Sequence, residues 1–597
     1  MKIVVLVKQV PRPDSIQFDD ETKSLKREGV PLELNPFDAA AVKHAARLRD
    51  TIDGEVVAMT MGPPQAESAL RLCLQLGADR CVHLSDRVFA VADTLGTSRT
   101  LALAIGKEAP DLVLAGRKTV DSETWQVPPE TAAFLGWPHL TSVIRTEIAG
   151  EHLHATRETD EGLETYELDL PALLSLAYAD EETTGEGGDG SIDVWTARDL
   201  VDDVDPEYDD RFGQAGSPTR VLAVRDVTPP RAGARVSNAN EAADLLTSKL
   251  EEPHDGETSW DKPERLGEEP GEAYDCWTFV ELYGGRPARA SLELLGKGRE
   301  LAGKLGGENV ALIFGFGLDP EAAQASCYGA DRVVLVDDER LDDYHPDLYA
   351  AALAQVLRIK QPHVLIIAST TNGRDFGPRA AGELELGMTG DCVNLGIDRA
   401  GRLIQTKPAY GGNIVSVIMG ATTPQLATVR TRMFRLLDPR DDRAPQIERL
   451  ELDGLPHTRM RPLERRFDER SAAYRLDEAD VVILAGAGVG ADGIDELQRH
   501  ADAAGAALGG TRGLCAEDVL PRNRQIGLYG RPVAPRLLLA VEVTGDVEEL
   551  SGFVKAGAIA AVNADEAAPM LQAADVGLAG DWRTLVPQLL EALGPHI

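Results

Sequence analysis

The sequence predicts an α/β fold of three doubly wound domains with mainly parallel sheets, two of them homologous and paired. Three observations carry this. Short Val/Ile/Leu-rich runs alternate with Ala/Leu/Glu-rich amphipathic stretches from first residue to last, the pattern of parallel strands covered by helices on both faces. A long stretch also recurs. Gly329-Ala330-Asp331-Arg332 and the apolar run after it repeat Gly77-Ala78-Asp79-Arg80 and theirs, and His363 to Ala368 with Asn372 to Pro378 takes the place of Leu112 to Pro129. A period that long means two homologous domains rather than a solenoid. Near the C-terminus, glycines stand beside short apolar strands, where a missing β-carbon lets backbone approach a phosphate or a flat ring.

The length of 597 residues accommodates several domains, each with its own core. Acids outnumber bases 98 to 61, for a net charge of −37, and are spread along the whole chain. A nucleic-acid binder inverts that balance. With the apolar periodicity intact, the acidity reads as a surface solvated for high salt. Six scattered cysteines lack CxxC spacing and read as core residues. No stretch approaches about twenty apolar residues, and Met1 to Lys8 is too short and too soon interrupted for a signal peptide, so a cytoplasmic protein without membrane insertion is expected.

In order, Lys2 to Val7 is a first buried strand, and Asn35-Pro36-Phe37-Asp38 opens a helix, with Asn and Asp expected to satisfy its first free N–H groups. Strands follow at Val56 to Met61, Cys81 to Leu84 and Leu112 to Ala115. The first domain spans 1–227. Residues 228–272 are acidic and rich in Gly and Pro, and read as a linker that cannot bury enough apolar surface to order itself. The second domain spans 273–437. Residues 438–476, polar and Pro-containing, read as a hinge about which the last domain, 477–597, swings. In that domain Gly486-Ala487-Gly488-Val489-Gly490-Ala491 has the form G-x-G-x-x-A, but the acid expected about twenty residues on is absent. An ordinary strand-to-helix turn is its simplest reading.

Specific motifs carry a family resemblance. The C-terminal stretch Thr511-Arg512, Gln525-Ile526-Gly527, Gly530, Val533-Ala534-Pro535, Gly545, Gly552, Asn563 and Ala574-Asp575-x-Gly577 resembles the FAD-binding domain of the electron-transfer flavoprotein (ETF) α subunit. Gly373-Arg374-Asp375, Gly387 to Cys392 and Gln425 to Arg430 resemble that subunit's N-terminal domain, and Val7 to Pro11, Asn35 to Asp38, Ala115-Gly116-Arg117 and Leu170 to Leu173 resemble the β subunit. The chain thus resembles a β–α fusion. The resemblance implies a redox carrier: FAD accepts electrons from flavin dehydrogenases, such as the acyl-CoA dehydrogenases of fatty acid β-oxidation, and passes them to a membrane quinone oxidoreductase. It implies Arg512 as the cation against the ring, Thr511 as a hydroxyl donor, and Gln525, Ile526, Gly527, Tyr529 and Gly530 as the turn beside it. Thr544 and Gly545 would face the pyrophosphate, and Asn563 and Asp575 the adenosine end. Ile192, in the apolar cluster Ser191 to Trp195, falls at the family's docking anchor.

Reduction places negative charge on the ring, so fixed donors and cations favour it. Family positions that carry something else here are Leu528, Tyr529, Glu542 and the pair Glu548-Glu549, whose acids oppose that charge. In the β-like domain, Trp125 and Pro128 stand in the loop that would receive AMP or a second flavin. A second reading therefore stays open, a flavin-free adenine-nucleotide-binding or regulatory protein on the same fold. No Ser-His-Asp or metal-ligand spacing supports hydrolytic or metal chemistry.

Overall fold

The computed structural model describes residues 1–15, 17–18, 25–26, 29–150, 152–180, 183–185, 188–205, 209–226, 231–251, 259–266, 274–409, 414–444, 446–467, 476 and 478–594. The first domain is built on a sheet whose parallel part runs Arg80–Leu84, Glu55–Met61, Lys2–Leu6, Leu112–Gly116, Ala172–Leu176, His139–Ala149. The second repeats that order with Arg332–Asp337, Gly306–Gly315, Tyr274–Val280, Val364–Ala368, Gln425–Val429 and Met388–Cys392. The repeated Gly-Ala-Asp-Arg motif does the same work in both. Gly77 and Gly329 turn the chain at φ +117° and +118°, a conformation that favours glycine. The carboxylates of Asp79 and Asp331 then accept the main-chain N–H of Val56 (2.7 Å) and Asn309 (2.9 Å) on the neighbouring strand.

The two domains pack through equivalent helices, Val127–Leu135 on Gly373–Glu383. Buried charge pins the contact. Arg157, fully buried, donates to Asp375 (3.1 Å) and Asn372 (2.6 Å), and His139 meets Asp375 at 2.9 Å. Strands are also exchanged. Thr219–Asp226 joins the second domain's antiparallel sheet beside Ile414–Gly420, and Met460–Phe467 adds an edge strand beside Gly162–Asp169 of the first.

The last domain is a parallel sheet in the order Ala234–Val236, Val576–Ala579, Ala558–Asn563, Leu537–Val541, Val481–Ala485, Ala507–Gly510. It sits on the first domain through Leu528 and Tyr529 against Val10, Phe37 and Val120, and touches the second where Asp480 pairs with Arg432 and, at 3.7 Å, with Arg289.

Two expectations from composition are corrected. Residues 234–250 of the expected linker form a strand on Val576–Ala579 and the helix Ala239–Leu250, which buries Ala239, Ala242, Ala243 and Leu246 in the C-terminal core. A single inward face of three alanines and a leucine suffices there, and an average over a mostly polar segment hides it. The expected hinge 438–476 contains Gln446–Arg449, paired with Arg332–Asp337, and the edge strand Met460–Phe467. Main-chain ladders hold these strands, whose side chains are largely exposed, so burial-based reading does not register them. The ladder ends at Phe467, and a pivot beyond it in 468–475 or 477, or in 227–230, lies outside the described residues.

Candidate functional site

In open parallel α/β sheets, ligands bind outside the carboxyl ends of the strands at the point where strand order reverses. Each domain has one such point, and each holds a carboxylate of its own, buried in the first two domains and half-buried in the third. In the first, between Lys2–Leu6 and Leu112–Gly116, Asp38 accepts the N–H groups of Lys8 (2.9 Å) and Gly116 (3.1 Å). Asn35 likewise turns to the loop, bonding the carbonyl of Lys118 and the N–H of Val120. Neither side chain caps its helix as expected from sequence, because loop amides from across the sheet lie nearer. In the second, between Tyr274–Val280 and Val364–Ala368, Glu281 accepts from Thr370 (2.6 Å) and Asn372 (2.8 Å). In the third, between Val481–Ala485 and Leu537–Val541, Glu542 accepts from Ala564 N–H (3.0 Å). Its carboxylate lies beside Gly488, where a β-carbon would stand 2.9 Å from it. Burial pushes Asp38 and Glu281 up to about 7 and raises Glu542.

The C-terminal frame gathers most of the sequence-predicted residues at one end of the sheet. Thr511 (3 % exposed) and Arg512 follow Ala507–Gly510, Thr544 and Gly545 follow Leu537–Val541, and Asn563 ends Ala558–Asn563. The turn 525–530 is laced to them: Ile526 N–H donates to Gly510 (3.0 Å), and a β-carbon on Gly530 would stand 2.2 Å from the Gln525 carbonyl. Gly527, at φ +135°, faces Gly552, whose β-carbon would lie 2.3 Å from its nitrogen. These glycines serve close approach of backbone to backbone. Asn563 donates to the Val543 carbonyl and holds Asp565 N–H.

Three members depart from the roles expected of them. Asp575 lies at the opposite, amino end of the sheet, where it accepts from Ile559 N–H and pairs with Arg231 (both 2.9 Å). Arg512 covers the Tyr529 ring at 4.4 Å, and the Tyr529 hydroxyl donates to Glu548 at 3.0 Å. The aromatic ring beside the predicted flavin cation is thus the chain's own. The Gly545 N–H donates to Glu549 at 2.7 Å, so the amide predicted for a pyrophosphate already holds an anion. Burial raises Glu549, and burial with the Glu548 carboxylate raises the Tyr529 phenol.

The loop 121–128 of the first domain is tied by its own charges. Lys8 pairs with Asp121 (2.6 Å) and Lys118 with Glu123 (3.0 Å), and both Glu123 and Trp125 adopt positive φ. Ile192 lies in the edge strand Ile192–Trp195 and packs inward on the first domain's core, while Val194 is 57 % exposed. Residues two apart share a strand face, and of this pair Val194 is the exposed one, so the outward residue of the cluster is Val194 rather than the predicted Ile192.

Sequence reading met a set of arginines in its motifs and gave them no role. Arg117 and Arg374 follow the equivalent strands Leu112–Gly116 and Val364–Ala368, and with Arg430 and Arg531 they line a cleft where the three domains meet. Their appearance just after equivalent strands of the two repeats was the available signal. Among the described residues, no group of three or more His, Cys, Asp or Glu could hold a metal ion, and no helix is long and apolar enough to cross a membrane.

Two homologous α/β domains, paired through equivalent helices and carrying a third with a dinucleotide-type frame, define the class of this protein. Its sequence matches the electron transfer flavoprotein domain over residues 22–200 and 276–455, and the electron transfer flavoprotein FAD-binding domain over residues 475–554. The chain belongs to the electron transfer flavoprotein family. Relatives of both subunit types match it, consistent with two subunits in one chain. The ETF subunit alpha of Thermoanaerobacterium thermosaccharolyticum is 31 % identical over 321 residues, 53 % of this chain and 97 % of the relative. The ETF subunit beta of Clostridium acetobutylicum is 38 % identical over 262 residues, 42 % of this chain and 99 % of the relative. The acryloyl-CoA reductase electron transfer subunit beta of Anaerotignum propionicum is 29 % identical over 349 residues, 53 % of this chain and 95 % of the relative.

The FAD-binding match suggests FAD, and the frame answers in two parts. Its backbone fits a flavin dinucleotide, with turns and amides gathered at the carboxyl ends of the strands beside Arg512. The side chains standing in it are engaged with one another, Tyr529 under Arg512, Glu549 on the Gly545 N–H and Glu542 on the Ala564 N–H, and as they stand do not fit the dinucleotide.

Proposed function

We propose that this chain is an electron-transfer flavoprotein with both subunits in one polypeptide, carrying electrons on FAD from flavin dehydrogenases, such as those that oxidise acyl-CoA, to a quinone oxidoreductase. The observation that carries the reading is the three-domain arrangement itself, with the FAD-binding-type domain set against both paired domains and family matches along all three. Covalent linkage raises the effective concentration of the halves without adding a contact. Bound FAD supplies the redox chemistry; Arg512 and the turn 525–530 would hold its ring, and the Gly545 N–H and Asn563 the remainder. Val194, two residues along the same strand face from Ile192, marks the edge where a dehydrogenase would dock. The dispersed acids suit a high-salt cytoplasm. Flavin content tests the reading: the purified protein should take up about one FAD per chain, and Arg512→Ala should lower occupancy or potential.

One observation favours the second reading. Tyr529 seated under Arg512 and Glu549 on the Gly545 amide suit a flavin-free nucleotide-binding or regulatory protein that kept the fold. For AMP or a second flavin at 121–128, the internal pairs Lys8–Asp121 and Lys118–Glu123 leave little to recruit. A protein that stays colourless with excess FAD removes the first reading and leaves this one.

A further inference from the structure

Residues 259–266 belong to the stretch that composition marks as linker, yet they are fastened to the second domain. Trp260 is half-buried, and the guanidinium groups of Arg440, Arg299 and Arg443 stand over its ring at 4.5, 5.4 and 5.4 Å. Its indole N–H donates to the Asp438 carbonyl (2.9 Å), and its own carbonyl accepts from Arg299 Nε (2.6 Å). Lys262 pairs with Asp331 (2.7 Å), the carboxylate that also takes Arg299 (2.8 Å) and Arg443 (3.3 Å). The seat is cut to receive this strap. On Gly303, in the helix Arg289–Leu305, a β-carbon would stand 2.7 Å from the Pro263 ring and 2.9 Å from Lys262, and on Gly306 it would stand 2.7 Å from Arg265. Glycine inside a helix costs stability relative to alanine; here it makes room for the strap. The Leu266 N–H completes the contact by donating to the Lys304 carbonyl (3.0 Å).

The anchor gains its meaning from what precedes it. The helix Ala239–Leu250 is packed in the core of the third domain, so the chain from Glu251 to Ser259 crosses from the third domain to the second. Whatever its path, those eight links span at most about 29 Å. Without the anchor the next fixed point is Tyr274, which opens the strand Tyr274–Val280, and the span rises to about 80 Å. The chain also reaches the third domain from Asp226 to Arg231 and from Phe467 to Leu476, over at most about 18 and 32 Å. A body held at two points can turn about the line between them, and a third short tether limits that turn. We propose that Trp260 fastens such a tether, a leash that restrains rotation of the third domain against the two paired domains. The leash acts on the third domain as a body and does not depend on FAD.

The test is pulsed electron paramagnetic resonance on the full chain, FAD-free, with nitroxides at Ile359→Cys in the second domain and Arg499→Cys in the third, both exposed positions. Cys327→Ser removes the one native thiol that is not buried. Trp260→Ala and Gly303→Leu dislodge the strap from its two sides. Each should add a population beyond the longest distance seen without them, and each should speed tryptic cleavage after Arg265 about tenfold. Trp260→Tyr, which keeps an aromatic face for the arginines, should retain the original distribution and the slow cleavage. Distances unchanged in both Trp260→Ala and Gly303→Leu overturn the leash even where cleavage shows the strap released. Cleavage unchanged in both overturns the anchor itself.

Discussion

If Tyr529 occupies the place of the flavin ring, removing it should tighten FAD binding. To admit a ring beside Arg512, the protein gives up the Arg512–Tyr529 contact at 4.4 Å and the Tyr529–Glu548 hydrogen bond at 3.0 Å. A cation over an aromatic face is worth about 0.5–2 kcal/mol, and a hydrogen bond to a charged group about 1.5–3 kcal/mol. Together these oppose uptake by about 3 kcal/mol, so Tyr529→Ala should bind FAD roughly 150-fold more tightly than wild type. The space left is walled by Val10, Phe37, Val120 and Leu528, apolar partners for a flat ring. Tyr529→Phe keeps the ring under Arg512 and loses only the hydroxyl bond, so its gain should be roughly tenfold. The assay is quenching of FAD fluorescence on titration with each protein at fixed salt. Equal affinity of Tyr529→Ala and wild type would show that the ring does not stand in the flavin's place.

Glu281 should impose a pH dependence on stability. Its carboxyl, raised by burial to about 7 from the ordinary 4.5, binds its proton more tightly folded than unfolded, so stability is greatest below about 4.5 and falls as pH rises to about 7. The loss is on the order of 3 kcal/mol, and Glu281→Gln should flatten that slope in denaturant melts taken across the window. Leu246→Ala, in the helix Ala239–Leu250, should cost the C-terminal domain about 2–5 kcal/mol, seen calorimetrically as a lower transition for that domain; a segment serving only as a linker would show no change. At the edge strand Ile192–Trp195, Val194→Asp should slow reduction by a flavin dehydrogenase in stopped flow without altering stability. Ile192→Ala should lower the melting temperature instead, and the reverse pattern would restore Ile192 as the anchor.

How much the sequence disclosed depended on whether a residue's role was local. The repeated Gly-Ala-Asp-Arg motif announced two like domains because both its glycine and its aspartate act within a few residues of a strand end. The turn 525–530 was legible for the same reason. The destination of a side chain was not. Asn35 and Asp38 were expected to cap a helix, yet they serve loops after other strands. Asp575 was placed with the cofactor residues, yet it starts its strand at the far end of the sheet. The exchanged strand Met460–Phe467 is exposed apart from Met460, and half of it is arginine and glutamate, so its place is set by main-chain pairing across about 300 residues. The arginine cleft needs three domains to assemble, so no window of sequence contains it.

The most direct test of the account is the visible spectrum of the purified chain after incubation with FAD and removal of the excess, followed by mixing with a reduced flavin dehydrogenase. The account predicts a yellow protein with about one flavin per chain, bleached on mixing and restored by an oxidised quinone acceptor. A colourless protein, or one whose flavin no dehydrogenase reduces, would contradict the claim that this chain carries electrons.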